Sequence, residues 1–192
     1  MKKLLYIVLL ICSIVLSGCN VFTPRESEKP DKPAEWNSFP ITPEKTVENL
    51  LFSYNYRENV YNYPNLFADG FSFFFDNQDV SDFSLPVSWN KSSETEMLIN
   101  AFQRINANSA MSLTLSKITS QNDNIQVDRA WFYRSYELTI PHNINGLPQV
   151  FAGQFRIYMI KDNNGFWVIK EWNDYRLSSS WTWGRIKNEF AL

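Results

Sequence analysis

Histidine and cysteine, the side chains most used in nucleophilic and metal chemistry, are scarce in this sequence. His142 is the only histidine, and the two cysteines are Cys12 and Cys19. A Ser–His nucleophile system or a His/Cys metal site would therefore depend on one imidazole. Because His142 follows Pro141, where a strand is predicted to end, we expect it in an exposed loop. The sequence predicts no metal site and no cofactor.

Acid–base chemistry requires neither histidine nor cysteine, since a carboxylate base and a phenol donor are sufficient for proton transfer. Asp174 with Tyr133 or Tyr136 supplies these groups. Nothing in their spacing distinguishes them from the other carboxylates and phenols of the chain. The sequence therefore favours a non-catalytic protein over an enzyme.

If the predicted sheet encloses a pocket, the alternation of side chains along its strands indicates which residues line it. Arg134 interrupts the otherwise apolar face of the strand predicted over residues 125–140. A buried guanidinium needs a partner, because an uncompensated buried charge costs about 3–5 kcal/mol. We expect Asp174 to be that partner and Tyr136 to add a neutral hydrogen bond, with Trp172 completing the pocket. The alternatives are a structural salt bridge, or an arginine stem that packs inside while its head reaches water.

The N-terminus has the three parts of an export signal. Lys2 and Lys3 precede an apolar run over residues 4–16, and small residues follow. This run is shorter than the roughly 20 apolar residues that a membrane-spanning helix needs. We therefore predict a signal peptide over residues 1–18.

The segment Leu16-Ser17-Gly18-Cys19 resembles the lipobox of bacterial lipoproteins. The resemblance implies that cleavage exposes Cys19 and that acyl chains are attached to it, anchoring the protein to a membrane with its domain facing the periplasm or the exterior. Cys12 lies in the segment that would be removed, so the mature chain can form no internal disulfide. The alternative is an ordinary signal peptide with an incidental cysteine.

Residues 19–41 are predicted to be a flexible linker, and residues 42–192 a single domain. The linker combines four prolines with many charged residues, and such a composition cannot bury enough apolar surface to order itself. Loss of residues 1–18 removes two lysines and changes the net charge from −2 to −4. This mild acidity argues against nucleic acid as a partner. A net negative charge also provides no attraction to anionic lipid, so we expect membrane contact to come from the attached acyl chains.

Three helices are predicted before the main strands. Thr42, Pro43 and Glu44 are typical of a helix start, and apolar residues then recur at helical spacing to about residue 56. A second, short helix is expected near Pro64. A third is expected to begin at Ser92 or Ser93 and to bury an apolar stripe ending at Ile105.

The strands are predicted from residues with period two and from turn residues. Asp69-Gly70 is expected to turn the chain into a short strand over 71–76. Strands are then predicted over residues 111–116, 125–140, 150–161 and 166–176, with Asn163-Asn164-Gly165 as a hairpin turn. In the last strand, Trp172 and Asp174 share a face with Trp167 and Ile169 only if a β-bulge near Lys170-Glu171 shifts the register.

This order of elements resembles the nuclear transport factor 2-like superfamily, a cone-shaped, cystatin-like α+β fold. Two local patterns carry the resemblance, Trp167-x-Ile169-x-x-Trp172-x-Asp174 and Trp183-Gly184-x-Ile186-Lys187. It implies three N-terminal helices packed on a strongly curved antiparallel sheet, with function located in the enclosed pocket. A cystatin-like or lipocalin-like sheet protein is the alternative fold, although lipocalins lack three early helices.

The predicted role is a lipid-anchored, non-catalytic module of the bacterial cell envelope. Its partners would be the membrane, through Cys19, and a small apolar or aromatic ligand or an envelope protein. The alternatives are an envelope enzyme that uses the cone for acid/base chemistry, and a structural accessory subunit.

The tryptophans near the C-terminus could stack on sugar rings or on a protein. We favour the interpretation that they close the open end of the cone, with Gly184 permitting a tight turn.

Overall fold

Four α-helices accompany the sheet in the structure, a computed structural model that describes residues 35–105, 109–177 and 181–191. The signal peptide, Cys12, Cys19 and most of the predicted linker lie outside these ranges. The helices are α1 (Pro43–Asn55), α2 (Asn77–Phe83), α3 (Lys91–Arg104) and α4 (Trp183–Ala191), with short 3-10 helices at Arg57–Tyr61 and Tyr63–Leu66. In the described part of the chain, every helix is too short or too polar to span a membrane.

Seven strands form one curved sheet. They are β1 (Phe67–Phe74), β2 (Ser88–Asn90), β3 (Ser112–Lys117), β4 (Asn124–Ile125), β5 (Arg129–Thr139), β6 (Val150–Lys161) and β7 (Trp167–Arg176). The order across the sheet is β2-β1-β7-β6-β5-β3, with β4 paired to β5. The predicted α+β architecture is confirmed, although β1 pairs with β7 in parallel and all other neighbours are antiparallel.

The start of α1 lies where it was predicted, with Thr42 at the N-cap position and Pro43 in the first turn, but the Thr42 side chain makes no capping hydrogen bond. The cap of α3 differs from the prediction. Asn90, rather than Ser92 or Ser93, precedes the helix, and its side-chain oxygen accepts the N–H of Ser93 at 3.1 Å. An asparagine side chain at this position satisfies one of the unpaired N–H groups of the first turn.

The β-bulge expected near Lys170 is present. Tyr158 pairs with Glu171 and Met159 pairs with Ile169, so Lys170 is the extra residue on β7. The shift places Trp172 and Asp174 on the buried face of β7 together with Ile169. The bulge therefore decides which side chains of β7 point inward.

The turn predicted at Asp69-Gly70 is instead an irregularity inside β1. Gly70 has φ +68°, and the pairing of β1 with β7 shifts register between Phe67 and Ser72. A side chain at Gly70 would approach Lys170 Nζ to 2.9 Å. Glycine is favoured here because of the positive φ, whereas the flexible end of the Lys170 side chain could move away from an added Cβ atom.

The packed domain begins before Thr42. The amide of Asn37 donates to Asn49 Oδ1 at 2.8 Å, and the amide of Trp167 donates to the carbonyl of Pro40 at 2.9 Å. Trp36 packs against the core. Residues 36–40 therefore form a strap across the start of α1 and the end of the β6–β7 hairpin.

Candidate functional site

The interior between the helices and the sheet is filled by aromatic side chains. Trp172 on β7 and Trp183 on α4 are fully buried, and their rings meet edge to face with centroids 4.7 Å apart. The ring of Trp183 also meets that of Tyr54 edge to face, with centroids 4.8 Å apart. Further fully buried side chains are Tyr63, Phe71, Phe73, Phe132, Phe151, Phe155 and Phe190. Residues 181–191 thus close the interior, as predicted for the C-terminal tail.

Gly184 lies inside α4 and not in the predicted turn. A Cβ atom there would lie 3.0 Å from Asp174 Oδ2 and 3.1 Å from Phe75. Glycine therefore serves here to let the first turn of α4 approach β7 closely.

A buried ion pair lies among these rings. Lys187 Nζ on α4 is 2.6 Å from Glu94 Oε1 on α3, and neither side chain is exposed. Tyr63 donates its hydroxyl to Glu94 Oε1 at 2.5 Å, and Trp89 donates Nε1–H to Oε2 at 2.8 Å. Burial lowers the pKa of Lys187, while the Glu94 carboxylate opposes that shift. Both charges are satisfied by neighbours inside the protein.

Lys187 also contacts aromatic faces. Its ammonium lies 3.8 Å from the ring centroid of Trp172 and 3.9 Å from that of Phe73. A cation over an aromatic face is stabilised by the ring quadrupole, and more so when it is desolvated. These contacts help to hold α4 against the sheet.

Tyr136 and Asp174 form a second buried polar group, which the sequence had placed in the candidate pocket. The Tyr136 hydroxyl donates to Asp174 Oδ1 at 2.9 Å and accepts the amide N–H of Trp183 at 2.7 Å. The amide of Gly184 donates to Asp174 Oδ2 at 2.6 Å. Both carboxylate oxygens are therefore used to hold the start of α4.

The protonation of this pair is set mainly by burial. Burial raises the pKa of Asp174 to about 7, against the opposing effects of hydrogen bonds from Gly184 and Tyr136. Burial also raises the pKa of Tyr136, and the neighbouring Asp174 carboxylate adds to the shift. The carboxyl group has the proton affinity of a base that works at neutral pH, but its oxygens face protein donors.

The expected pairing of Arg134 with Asp174 is wrong. Arg134 forms a two-pronged pair with Asp123, with NH1–Oδ1 at 2.6 Å and NH2–Oδ2 at 2.8 Å. Its guanidinium lies 4.8 Å from the centroid of the Phe132 ring. The segment before β4 brings Asp123 to the edge of β5, where its Oδ1 also accepts the backbone N–H of Tyr133 at 3.2 Å. Arg134 is buried as predicted, but it does not hydrogen-bond to Tyr136.

His142 is also placed differently from the prediction. It is 5% exposed, and its ring nitrogens contact the Pro148 carbonyl at 2.9 Å and the Ile144 amide at 3.1 Å. These partners fit a neutral ring with the proton on Nε2. The imidazole holds the loop between β5 and β6 together, so it is not an exposed residue.

Clefts of two sizes open from the described part of the surface. The smaller, of about 160 Å³, is lined by Asp174, Asn173 and the end of β1. The larger, of about 670 Å³, lies among the strap, the β6–β7 hairpin and the start of β1, and it is lined by none of the four candidate pocket residues.

Among the described residues, no group of three or more His, Cys, Asp or Glu side chains is arranged to hold a metal ion.

Solved structures provide the comparison for this arrangement. A conserved protein from Planctomyces limnophilus DSM 3776 superposes with a TM-score of 0.54 at 11% identity, over 68% of this chain and 89% of that one. A nuclear transport factor 2-like superfamily protein from Salmonella enterica serovar Typhimurium LT2 superposes with a TM-score of 0.53 at 15% identity, over 71% of this chain and 89% of that one. The fold is nuclear transport factor 2-like.

A protein from Kribbella flavida superposes to a similar degree, with a TM-score of 0.52 at 13% identity over 78% of this chain and 95% of that one. No protein-family model matches the sequence, and no curated protein matches it significantly. The likeness is therefore one of fold alone, and it does not indicate what chemistry the residues of this chain perform.

Proposed function

We propose that this protein is a non-catalytic binding module of the bacterial cell envelope, held at a membrane by lipid on Cys19, that engages its partners through its outer surface. The observation that carries the proposal is the filled interior. Trp172 and Trp183 meet there edge to face, and the Lys187–Glu94 pair occupies the space between α3, α4 and the sheet. The interior acts as a packed core.

The enzyme alternative requires a substrate to reach Asp174 and a tyrosine. Ligand sites generally measure about 300–1,000 Å³, and the cleft beside Asp174 is only about 160 Å³. Tyr136 and the amide of Gly184 already occupy the carboxylate oxygens. Tyr133 points to the opposite face of β5 and is not available to Asp174. These contacts support a structural role for the carboxyl–phenol pair.

Native mass spectrometry of the purified full chain tests the binding role. We expect the interior to carry no co-purifying small molecule, and any retained partner to leave when the outer surface is altered. A ligand that stays bound to the wild-type protein but is lost in Trp172→Phe would contradict the proposal, because it would place the site inside. Tyr61→Phe, at a position 84% exposed, is the matched control.

The anchor is supported by Leu16-Ser17-Gly18-Cys19 and by the composition of the chain. A mature net charge of −4 gives no attraction to anionic lipid, so acyl chains would have to supply the affinity. One chain holds a protein only marginally, whereas two or more hold it firmly. The lipobox resemblance implies the second case.

Fractionation of cells that express Cys19→Ser tests the anchor. We expect the variant to leave the membrane fraction, since a serine at this position provides no thiol for lipid transfer. Cys12→Ser is the matched control and should remain with the membranes, because Cys12 lies in the predicted signal peptide. Firm membrane retention of the Cys19→Ser protein after export would contradict the anchor.

A further inference from the structure

The larger cleft, which we call the hairpin cleft, is a concave surface outside the core. It measures about 670 Å³, within the range of small-molecule sites. Its floor is made of buried residues, which are Leu66, Phe67, Ala68, Trp167 and Val168. Its walls are the strap, the Asp162–Gly165 turn and the start of β1.

The walls of the hairpin cleft are polar and electrically balanced. Five asparagines line it, namely Asn37, Asn49, Asn65, Asn163 and Asn164. Two lysines, Lys91 and Lys161, are matched by Asp69 and Asp162. Amide side chains offer both donors and acceptors. Such a lining suits an uncharged ligand with many hydroxyl groups better than an anion, a cation or a lipid tail.

The frame of the cleft is held by hydrogen bonds within the protein. The backbone amide and the side-chain amide of Asn37 both donate to Asn49 Oδ1 on α1. Lys91 Nζ donates to the Phe67 carbonyl at 2.8 Å. At the hairpin, Asp162 Oδ1 accepts the amides of Asn164 and Phe166 at 2.9 and 2.8 Å. A site whose walls are held in this way loses little freedom when a ligand binds.

Three asparagine side chains remain for a ligand. Asn65, Asn163 and Asn164 are exposed, and within the described ranges their amide groups make no side-chain hydrogen bond. Two half-buried aromatic residues, Trp36 and Phe166, line the same cleft. The axial C–H bonds of a sugar ring carry partial positive charge, which complements the negative face of an aromatic ring.

We propose that the hairpin cleft binds a neutral saccharide, with Trp36 as the aromatic contact and Asn163 and Asn164 as hydrogen-bonding groups. The inference deepens the proposed binding role and rests on it. Free oligosaccharide and polymeric cell-wall glycan present the same chemistry, so the experiment has one arm for each.

The test measures binding of the purified full chain to two kinds of probe. Isothermal titration calorimetry uses the β-1,4-linked tetramers of glucose and of N-acetylglucosamine, and co-sedimentation uses purified insoluble cell-wall glycan. We expect saturable binding in at least one arm. Trp36→Ala should weaken it by about tenfold or more, as expected for loss of an aromatic anchor.

The double variant Asn163→Ala, Asn164→Ala should also weaken binding, and it spares the core because both residues are exposed. Tyr61→Ala and Asn143→Ala, at exposed positions outside the cleft, are the matched controls and should bind as the wild type does. Absence of binding in both arms would overturn the inference, as would binding that survives the double variant, or a peptide that binds the cleft in place of sugars.

Failure of this inference is distinguishable from failure of the proposed function. If no saccharide binds while the interior carries no ligand and Cys19→Ser is released from the membrane, only the identity of the ligand is wrong. If a small molecule is found inside and its loss follows Trp172→Phe, the proposed outer-surface role fails as well.

Discussion

Lys187 and Glu94 form an ion pair at the centre of this domain, 2.6 Å apart and without solvent exposure, although 93 positions separate them in the chain. The pair joins the last helix to α3 beneath the aromatic rings of the sheet. A charged pair in this place is tolerated because Tyr63 and Trp89 also donate to the carboxylate. The interior is thus filled by side chains, and both charges of this pair have partners inside the protein.

Loss of one member of this pair should be costly. We expect Lys187→Met to lower the free energy of unfolding by about 3–5 kcal/mol, because the Glu94 carboxylate would remain buried without its counter-charge. Adding Glu94→Gln should recover part of the loss, since no uncompensated charge then remains. Urea unfolding of the single and double variants measures the coupling.

The matched control for this experiment is the exposed pair of Asp128 and Arg129, whose side chains are 65% and 49% exposed. Asp128→Asn should leave stability close to that of the wild type, because water screens the charges of an exposed pair. Equal losses in Lys187→Met and Asp128→Asn would contradict the importance assigned to the buried pair.

Asp174 should make stability depend on pH. Its pKa is about 7 in the folded protein, above the ~3.9 of an unfolded aspartate. Between these values the folded state holds a proton that the unfolded state has released. The free energy of unfolding should therefore decrease as pH rises through this window, by at most ~1.4 kcal/mol per pH unit, and level off above it.

Urea unfolding between pH 4 and pH 8 checks this slope. Asp174→Asn cannot titrate, so its curve should lack the component that Asp174 contributes, whereas Glu137→Gln, at an exposed position of β5, should keep the wild-type slope. A curve for Asp174→Asn that runs parallel to that of the wild type would show that this carboxyl is not the titrating group.

Gly153→Ala should disturb the hydrogen bonds that hold α4. A Cβ atom at Gly153 would come within 2.8 Å of the carbonyl of Tyr175 and closer still to the hydroxyl of Tyr136. Forcing extra volume into a packed core costs about 1–3 kcal/mol. Thermal unfolding should show a clear decrease in Tm, and Gln154→Ala, the neighbour on the opposite face of β6, should show almost none.

Arg134→Leu should destabilise the domain without affecting ligand binding. The change leaves Asp123 without its two-pronged partner, and an unsatisfied, largely buried charged group costs about 1–3 kcal/mol or more. Arg134 lies outside the hairpin cleft, so the saccharide affinity of the folded variant should be unchanged. Unchanged unfolding together with lost binding would instead assign Arg134 to a ligand site.

The sequence by itself determined the features that depend on neighbouring residues. Alternation of side chains placed β6 over residues 150–161, and Asn163-Asn164-Gly165 marked the turn after it, where Gly165 has φ +81°. The bulge at Lys170 followed from the sequence only as a condition, because Trp167 and Trp172 can share a buried face only if one residue is extra. These are consequences of backbone geometry over short distances.

Tertiary structure alone decided which side chains meet. Strand alternation placed Arg134 inside, but only the path of the chain before β4 brought Asp123 to it in place of Asp174. Likewise, the ring of His142 is buried against Phe190 of α4, with centroids 6.3 Å apart, and nothing in the sequence around His142 showed that contact. Burial and partner choice depend on how distant segments share one enclosed volume, and the spacing of residues along the chain does not contain that information.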